Sequence, residues 1–373
     1  MDDKLYYIWL QRICGAANRL SGLLLSHFPS AAAVYECTDF SFLPENYRHY
    51  ADMLCVKDLS QALETYKACV NRGIKLVPYH SPDYPASLRD IDDPPVQLYV
   101  YGDITRLSGV HSAAIVGTRN ADENGIASAT RYAESFARSG VAVISGLAKG
   151  IDCAANDSAL KAGGLSVGVL GTPIDRIYPP ENVRLFHRMY SSGVVVSEYA
   201  PRAEVGRYSF PARNRIISAL SECTVVIQAA QGSGAIITAR RAVQQNKPVY
   251  FAAGGVTAVL EGAVSVSCPA EVLERFEIDD PSLRISPSAY APRRAVSHGM
   301  KIELPPEKNA SPPGTDDELK LLSIISGHPG TAEEFAAEMK VSVDRIYELL
   351  TLLELDGAIT ASAGGRYTKN TLK

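Results

Sequence analysis

Four runs rich in Gly, Ser, Arg and Asn follow apolar segments in the middle of the chain, and their residue types suit the binding of phosphate. They are Gly117-Thr118-Arg119, Ser145-Gly146-Leu147-Ala148-Lys149-Gly150-Ile151-Asp152, Phe210-Pro211-Ala212-Arg213-Asn214-Arg215 and Gly232-Ser233-Gly234. Glycine lets the backbone approach a ligand, hydroxyls donate hydrogen bonds, and arginine grips phosphate oxygens with two donors. The spare N–H groups at helix starts also favour anions. Together these residues predict a phosphate-binding site.

The elements that must position these runs alternate between strand and helix from residue 112 to residue 277. Strands are predicted near Ala113–Gly117, Val141–Ser145, Ser166–Leu170, Val194–Ser197, Thr224–Gln228, Pro248–Ala252 and Ala263–Ser267. Helices are predicted over segments such as Gly125–Ser139, Asp152–Ala162 and Ala270–Phe276. The strands are apolar on both faces, which is typical of a parallel sheet covered by helices. The predicted fold class is therefore α/β, a doubly wound Rossmann-like sheet, and the four runs should meet at the carboxyl edge of its strands.

The first two runs each have a functional and a structural interpretation. In the first run, Arg119 can grip a phosphate, or the run is a tight turn with a solvated arginine. In the second run, Ser145, Gly146 and Lys149 can face a phosphate, or they form an ordinary turn. Asp152 is expected to cap the helix that follows rather than to perform chemistry.

Arg213-Asn214-Arg215 is the sharpest feature of the third run, because two cations at a helix start oppose the helix dipole. A bound anion that bridges both arginines would explain them. Alternatively, one arginine pairs with a carboxylate such as Glu198. Phe210 can stack on a base or pack in the core. The last run, with Ser233 and Gly234, is either an anion-binding turn or a loop that needs positive φ.

Catalytic motifs are absent from the sequence. Thr118-Arg119 does not continue as a dinucleotide-binding fingerprint, and the chain has no Gly-Lys-Ser/Thr segment of a P-loop. No Ser/His/Asp or paired-carboxylate arrangement stands out, and Glu198 is expected to form an ion pair. We therefore predict no catalytic residue and no cofactor.

The seven cysteines are scattered and form no C-x-x-C pair, so we expect reduced thiols and no metal site. No apolar run is long enough to cross a bilayer, and the N-terminus does not resemble a secretory signal. These observations predict a cytoplasmic protein without a membrane partner.

A chain of 373 residues exceeds one ordinary core, and its composition changes along the chain. We expect a helical domain over 1–72 that is similar to SAM or helix-hairpin-helix modules, a connector over 73–111, a Rossmann-like DNA-binding domain over 112–277, a flexible linker over 278–314 and a winged helix over 315–373. Residues 113–277 carry 16 basic and 14 acidic side chains, whereas residues 315–373 carry 6 and 10. Any nucleic-acid surface should therefore be local and in the middle domain.

The last segment has the pattern of three helices and a hairpin. The first predicted helix is Glu318–Ile325, the second begins after Thr331 with Glu334 completing a capping box, and the third is Val343–Leu355. Two strands follow, Ile359-Thr360 and Arg366-Tyr367-Thr368, joined by a turn at Gly364-Gly365. The helix in the recognition position is acidic and apolar, whereas major-groove readers need Arg, Lys, Asn or Gln. We expect this module to contact protein rather than to read DNA.

The motifs and their order resemble the DNA-processing protein A (DprA/Smf) family over most of the chain. They run from Tyr84-Pro85 to Gly102-Asp103, then Gly117-Thr118-Arg119, Ser145 to Asp152, Tyr178 to Asn182, Ser197 to Tyr199, Phe210 to Ser218 and Gly232 to Ala239. The resemblance implies a Rossmann-fold protein that binds single-stranded DNA without strong sequence preference and is not an enzyme. It further implies a homodimer through the Rossmann domain, protection of incoming strands in natural transformation, and loading of the RecA recombinase.

The same resemblance implies DNA contact by the residues already singled out, from Gly117, Thr118 and Arg119 to Arg213, Asn214 and Arg215. Departures from the family pattern are Asn156, Gln228 and a shortened segment between Ala253 and Gly262, so the pocket is better supported than the dimer surface. A rival hypothesis is a nucleotide sensor or a nucleoside-monophosphate phosphoribohydrolase. Its Gly-rich loop would need a following Glu, which is missing after Gly234.

Overall fold

The computed structural model describes residues 2–206, 208–230, 233–256, 258, 260–278, 316–355, 358–361 and 366–369. The chain divides into two compact units, Met1–Arg284 and Ile285–Lys373. The predicted linker lies outside the described residues from position 279 onward, and the domain boundaries proposed above stay predictions. The described residues contain no helix that combines the length and the apolar character needed to cross a lipid bilayer.

The first unit begins with a group of short helices. They are α1 (Lys4–Cys14), α2 (Arg19–His27), α3 (Ala31–Glu36), α4 (His49–Cys55) and α5 (Ser60–Asn71). Local capping explains two of the starts, because Asn18 accepts from Leu20 N and Ser30 accepts from Ala33 N. Gln11 on α1 joins these helices to the sheet, since its amide donates to the carbonyl oxygen of Glu198 at 2.7 Å.

One nine-stranded sheet forms the centre of this unit. Its strands are β1 (Lys75–Pro78), β2 (Gln97–Tyr101), β3 (Ser112–Val116), β4 (Ala142–Ser145), β5 (Ser166–Leu170), β6 (Val194–Ser197), β7 (Cys223–Val226), β8 (Val249–Ala252) and β9 (Ala263–Val266). They lie in the order β1-β2-β6-β5-β4-β3-β7-β8-β9. All neighbouring strands in the run β6-β5-β4-β3-β7-β8-β9 are parallel. At the edge, β2 pairs antiparallel with both β6 and β1.

Helices cover both faces of the parallel strands, so the predicted fold class is confirmed. They are α6 (Glu123–Arg138), α7 (Ile151–Lys161), α8 (Val183–Ser192), α9 (Ser209–Leu220), α10 (Gly234–Gln244) and α11 (Pro269–Leu273). Successive residues of β3 pack in different hydrophobic clusters on the two faces of the sheet. Ile115 packs in the cluster that contains Phe136, and Val116 packs in the cluster that contains Ile216. The strand ends predicted from residue 112 to residue 277 differ from those found by at most two residues.

The strand order reverses beside β3, and this places a crevice at the carboxyl edge of the sheet. The chain passes from β3 through β4 and β5 to β6, and β7 then returns to the other side of β3. Ligands of open α/β sheets bind at such a switch point. The loops that follow β3 and β7 flank this crevice.

The second unit has three helices and a hairpin. Its elements are α12 (Asp316–Gly327), α13 (Ala332–Met339), α14 (Val343–Leu355), β10 (Ile359–Ala361) and β11 (Tyr367–Lys369). The predicted capping box is confirmed, because Thr331 and Glu334 each bond the other's backbone N–H. Phe335, Leu349 and Tyr367 are buried and form its core. The predicted turn at Gly364-Gly365 lies outside the described residues.

Candidate nucleic-acid interface

The turns after β3 and β4 pack directly against each other at the switch point. Ile151 N donates to the carbonyl oxygen of Thr118 at 3.3 Å. Gly150 has φ +80°, and a Cβ there would stand 2.4 Å from Thr118 O and 2.6 Å from Arg119 O. Only glycine fits this contact. The structure therefore brings together the first two runs that the sequence singled out.

Arg119 lies over one aromatic ring, that of Phe210, beside these turns. Its guanidinium carbon is 5.6 Å from the centre of the Phe210 ring, which is a cation–π distance. The Tyr178 ring lies 5.3 Å beyond Phe210, centre to centre, and Tyr178 is 42% exposed. Phe210 is half-buried and packs on Gly171, at the end of β5. An aromatic surface with an adjacent cation thus lies at the carboxyl edge of the sheet, near the end of β5.

Lys149 is the exposed cation of the second turn. Its ammonium has neither a salt bridge nor a hydrogen bond to any residue that the structure describes. Asn182 holds the turn in place, because its amide donates to Leu147 O at 3.0 Å and to Ala148 O at 3.3 Å. The lysine therefore projects from a fixed backbone.

Ser145 and Gly146 are buried and have protein partners, so they do not face the crevice. The Ser145 hydroxyl donates to Ile115 O at 2.6 Å, and Gly146 N donates to Asp152 Oδ2 at 3.1 Å. The prediction that Asp152 caps α7 is wrong, since α7 begins after Gly150 without a side-chain cap. Burial raises the pKa of Asp152, and the nearby guanidinium groups of Arg213 and Arg119 act in the opposite direction.

The sequence predicted that Arg213 lies at a helix start, and this prediction is wrong. Helix α9 begins at Ser209, so Arg213 belongs to its second turn and is only 4% exposed. Its guanidinium donates to Gly146 O at 2.7 Å and also to Val169 O. Burial lowers the pKa of Arg213 to about 10, although Asp152 favours the charge, so the side chain is still a cation at neutral pH.

Arg215, in the same turn of α9, confirms the alternative that one arginine pairs with Glu198. Its Nη2 donates to Glu198 Oε1 at 2.8 Å, and its Nε lies 3.1 Å from Asp93 Oδ2. Burial opposes the charge, but Glu198 and Asp93 outweigh this effect and raise the pKa of Arg215. Asn214 between the two arginines donates to Gly234 O at 3.3 Å and so ties α9 to the start of α10.

The start of α10 is the last part of the crevice. Ser233 and Gly234 are half-buried, and no side chain caps the helix at Ser233. The Ser233 hydroxyl is enclosed and has no hydrogen-bond partner among the described residues. Gly232 lies outside them. The uncapped amides of this helix start can receive an anion.

We define the strand-end site by residues at the carboxyl edge of the sheet that are not fully buried. It consists of Gly117, Thr118, Arg119, Lys149, Tyr178, Phe210, Ser233 and Gly234. Tyr178 is the residue that the motif analysis missed as a site residue, although it begins the Tyr178 to Asn182 motif. Within the described residues, no group of three or more His, Cys, Asp or Glu side chains is placed to hold a metal ion.

Two family models match the chain. The model of DNA recombination-mediator protein A matches residues 75–275, which contain the whole strand-end site. The chain belongs to the DNA-processing protein A (DprA/Smf) family. A second model, the DprA winged helix domain, matches residues 305–365 and identifies the second unit.

Relatives in the DprA/Smf family agree with this assignment. Protein Smf of Escherichia coli is 32% identical over 303 residues, which cover 78% of this chain and 76% of that protein. DNA processing protein DprA of Bacillus subtilis is 34% identical over 227 residues, 58% of this chain and 75% of that protein. The X-ray structure of DprA from Streptococcus pneumoniae is similar with a TM-score of 0.57 at 27% identity, covering 74% of this chain and 98% of that one. The family resemblance is confirmed.

Proposed function

We propose that this chain binds single-stranded DNA at the strand-end site. The observation that carries the proposal is the cluster in which the cation of Arg119 lies 5.6 Å from the ring of half-buried Phe210. Exposed Tyr178 lies beside Phe210, and exposed Lys149 is on the adjoining turn. Cations that track phosphates, combined with rings that stack on bases, are the features of single-strand binding proteins. The family to which the chain belongs supports DNA as the ligand.

The site favours a single strand over a duplex for a geometric reason. Tyr178 and Phe210 offer ring surfaces at the carboxyl edge of the sheet, and a base reaches such a surface only when it is not paired and stacked in a duplex. Phosphates of the same strand would lie on Arg119, Lys149 and the amides at the start of α10. The expected binding has little sequence preference, since every base has a π face.

We assign a supporting role to the buried residues that the sequence analysis expected at the phosphates. Arg213 and Arg215 use their donors on carbonyl and carboxylate oxygens inside the protein, and Ser145 and Gly146 do the same. Asn214 connects α9 to the start of α10. These residues hold the accessible groups in place, so their loss would act through the geometry of the site.

The wider role follows from the family. We propose a binding protein rather than an enzyme, which protects incoming strands in natural transformation and loads the RecA recombinase onto them as a homodimer in the cytoplasm. The winged helix is proposed to contact a protein. Co-purification with RecA on a single strand, and the mass of the chain in solution, test the RecA and dimer parts separately.

The DNA proposal is tested by fluorescence anisotropy with a short labelled single strand and the matching duplex over a series of salt concentrations. We expect tight binding of the single strand that weakens with salt, and weaker binding of the duplex. The slope of the logarithm of the binding constant against the logarithm of salt concentration should fall in magnitude by about 0.7 for each phosphate contact removed. Arg119→Ala and Lys149→Ala should both reduce the affinity and the slope. Arg138→Ala is the matched control, because Arg138 is exposed at the far end of α6 and pairs only with Glu134 among the described residues.

Two outcomes would overturn this assignment. If Arg119→Ala and Lys149→Ala bind the strand as the parent does, the DNA site lies elsewhere. If the parent does not bind a single strand at low salt but releases the base from a nucleoside monophosphate, the chain is a phosphoribohydrolase.

A further inference from the structure

We infer that Gln228 is a positioning residue for Arg119, because it clamps both ends of the turn from Thr118 to Asp122. The inference rests on the proposed function, since it concerns the presentation of Arg119 to DNA. Gln228 follows β7, on the opposite side of the switch-point crevice from the turn that it holds.

Three hydrogen bonds join Gln228 to the two ends of the turn. Thr118 N donates to the backbone oxygen of Gln228 at 2.7 Å. Asp122 N donates to Gln228 Oε1 at 3.2 Å, and Gln228 Nε2 donates to Asp122 Oδ2 at 2.9 Å. Arg119 lies between these two fixed points. Its backbone oxygen also faces Gly150, so the turn is held from both sides.

The carboxamide is the group that matches Asp122 at this place. Asp122 presents one donor, its backbone N–H, and one acceptor, its carboxylate, and an amide satisfies both at once. Asp122 also accepts from Gly125 N at 2.7 Å and thereby caps α6. The fit is close, because a Cβ at Gly125 would stand 2.3 Å from Gln228 Oε1.

A glutamate at position 228 would keep the size of the side chain and lose the donor. Its carboxylate would then face the carboxylate of Asp122 in place of the present bond of 2.9 Å. Two carboxylates in contact repel each other when both are ionised, and sharing a proton relieves the repulsion. The turn would be displaced at neutral and alkaline pH, and Arg119 would leave its position over Phe210.

The experiment compares single-strand affinity of the full chain at about pH 8 and about pH 5.5, where a carboxylate pair can take up a proton. For Gln228→Glu we expect an affinity roughly three- to tenfold below that of the parent at the higher pH. At the lower pH most of this difference from the parent should disappear. Gln244→Glu is the matched control, because it adds the same charge on the exposed part of α10.

Rescue by a second substitution separates positioning from a loss of fold. Combined with Gln228→Glu, Asp122→Asn restores a donor–acceptor pair and keeps an oxygen for Gly125 N. We expect the double variant to bind as the parent at both pH values. If the single variant binds as the parent at pH 8, or if the double variant stays weak while its melting temperature is unchanged, Gln228 does not position Arg119.

Failure of the inference differs from failure of the proposed function. If Arg119→Ala loses affinity but Gln228→Glu does not, the DNA site stands and the clamp is overturned. If neither Arg119→Ala nor Gln228→Glu changes the affinity, both the DNA assignment and the clamp are overturned.

Discussion

Arg215 and Glu198 form an ion pair of 2.8 Å in which the two side chains are only 2% and 3% exposed. Asp93, on the segment before β2, supplies a second carboxylate partner, with its Oδ2 at 3.1 Å from Arg215 Nε. One guanidinium therefore joins α9 to the end of β6 and to the connector. Such a buried pair adds little net stability, but removal of one partner leaves a buried charge. Its structural effect is to hold α9, and with it Phe210, over the sheet edge.

Glu198→Ala should strongly destabilise the first unit. We expect the free energy of unfolding to fall by about 2–4 kcal/mol, somewhat below the usual cost of breaking a buried pair because Asp93 stays beside Arg215. Denaturant unfolding measures this change. Asp92→Ala is the control, since its pair with Arg19 at 2.8 Å is 71% and 74% exposed and should contribute less than about 1 kcal/mol. Equal effects of the two substitutions would contradict the assigned role of Arg215.

Gly150→Ala should disturb the strand-end site, whereas Gly163→Ala should not. Both glycines have φ +80°, which L side chains rarely adopt, so both substitutions strain the backbone by about 1–3 kcal/mol. At Gly150 the new Cβ would also press on the carbonyl oxygens of Thr118 and Arg119, but at Gly163 nothing lies within 4 Å. Melting temperature and single-strand affinity separate the two effects. A Gly163→Ala protein that loses DNA affinity as much as Gly150→Ala would refute this explanation.

Tyr178→Leu and Phe210→Leu should weaken DNA binding without changing its dependence on salt. At position 210 leucine retains apolar volume on Gly171. At both positions it removes the ring, and a lost base stack costs about 1–3 kcal/mol. The salt slope counts phosphate contacts, so it should stay at the parent's value. Arg119→Ala, in contrast, should lower the slope. A fall in slope for Tyr178→Leu would argue against stacking as the role of this ring.

His80 should make the N-terminal helices less stable in mild acid. Its Nε2 donates to Leu25 O at 3.1 Å, and its Nδ1 lies 2.8 Å from Tyr7 Oη, where the neutral ring can accept from the hydroxyl. Partial burial lowers the pKa of His80 below 6.5. The unfolded chain therefore binds the proton first, and stability falls as the pH drops from about 6.5 through the folded pKa.

The pH dependence is measured from urea midpoints between about pH 5 and 7. His80→Gln should flatten this dependence, and His187→Gln, on the exposed face of α8, should leave it unchanged. A parent whose midpoint is constant over this range would contradict the assignment.

Local sequence signals determined the elements of this protein. The apolar strands and the glycine-rich turns that follow them predicted the parallel sheet with ends within two residues of those found. The Thr331–Glu334 capping box was equally readable, because a cap depends on residues three positions apart. The crevice at the strand ends followed from topology, since the carboxyl ends of parallel strands share one edge.

The site itself was only partly readable from the sequence. Gly117 to Arg119 and Lys149 lie at the predicted edge, but the run from Arg213 to Arg215 was placed at a helix start and lies in a second turn. Proline and the aromatic before it suggested a break there, yet proline is tolerated in the first turn of a helix, and α9 begins two residues before Pro211.

Only the tertiary structure decided which polar groups face the crevice. Arg215 finds Asp93 at a separation of 122 residues, and Gln228 reaches Asp122 across 106. No periodicity or local motif reports such partners, because they are brought together by the packing of strands that are distant in sequence. The same residue types were therefore compatible with phosphate contact or internal pairing. Burial of α9 against the sheet selected internal pairing for its two arginines, whereas Arg119 and Lys149 stayed at the edge.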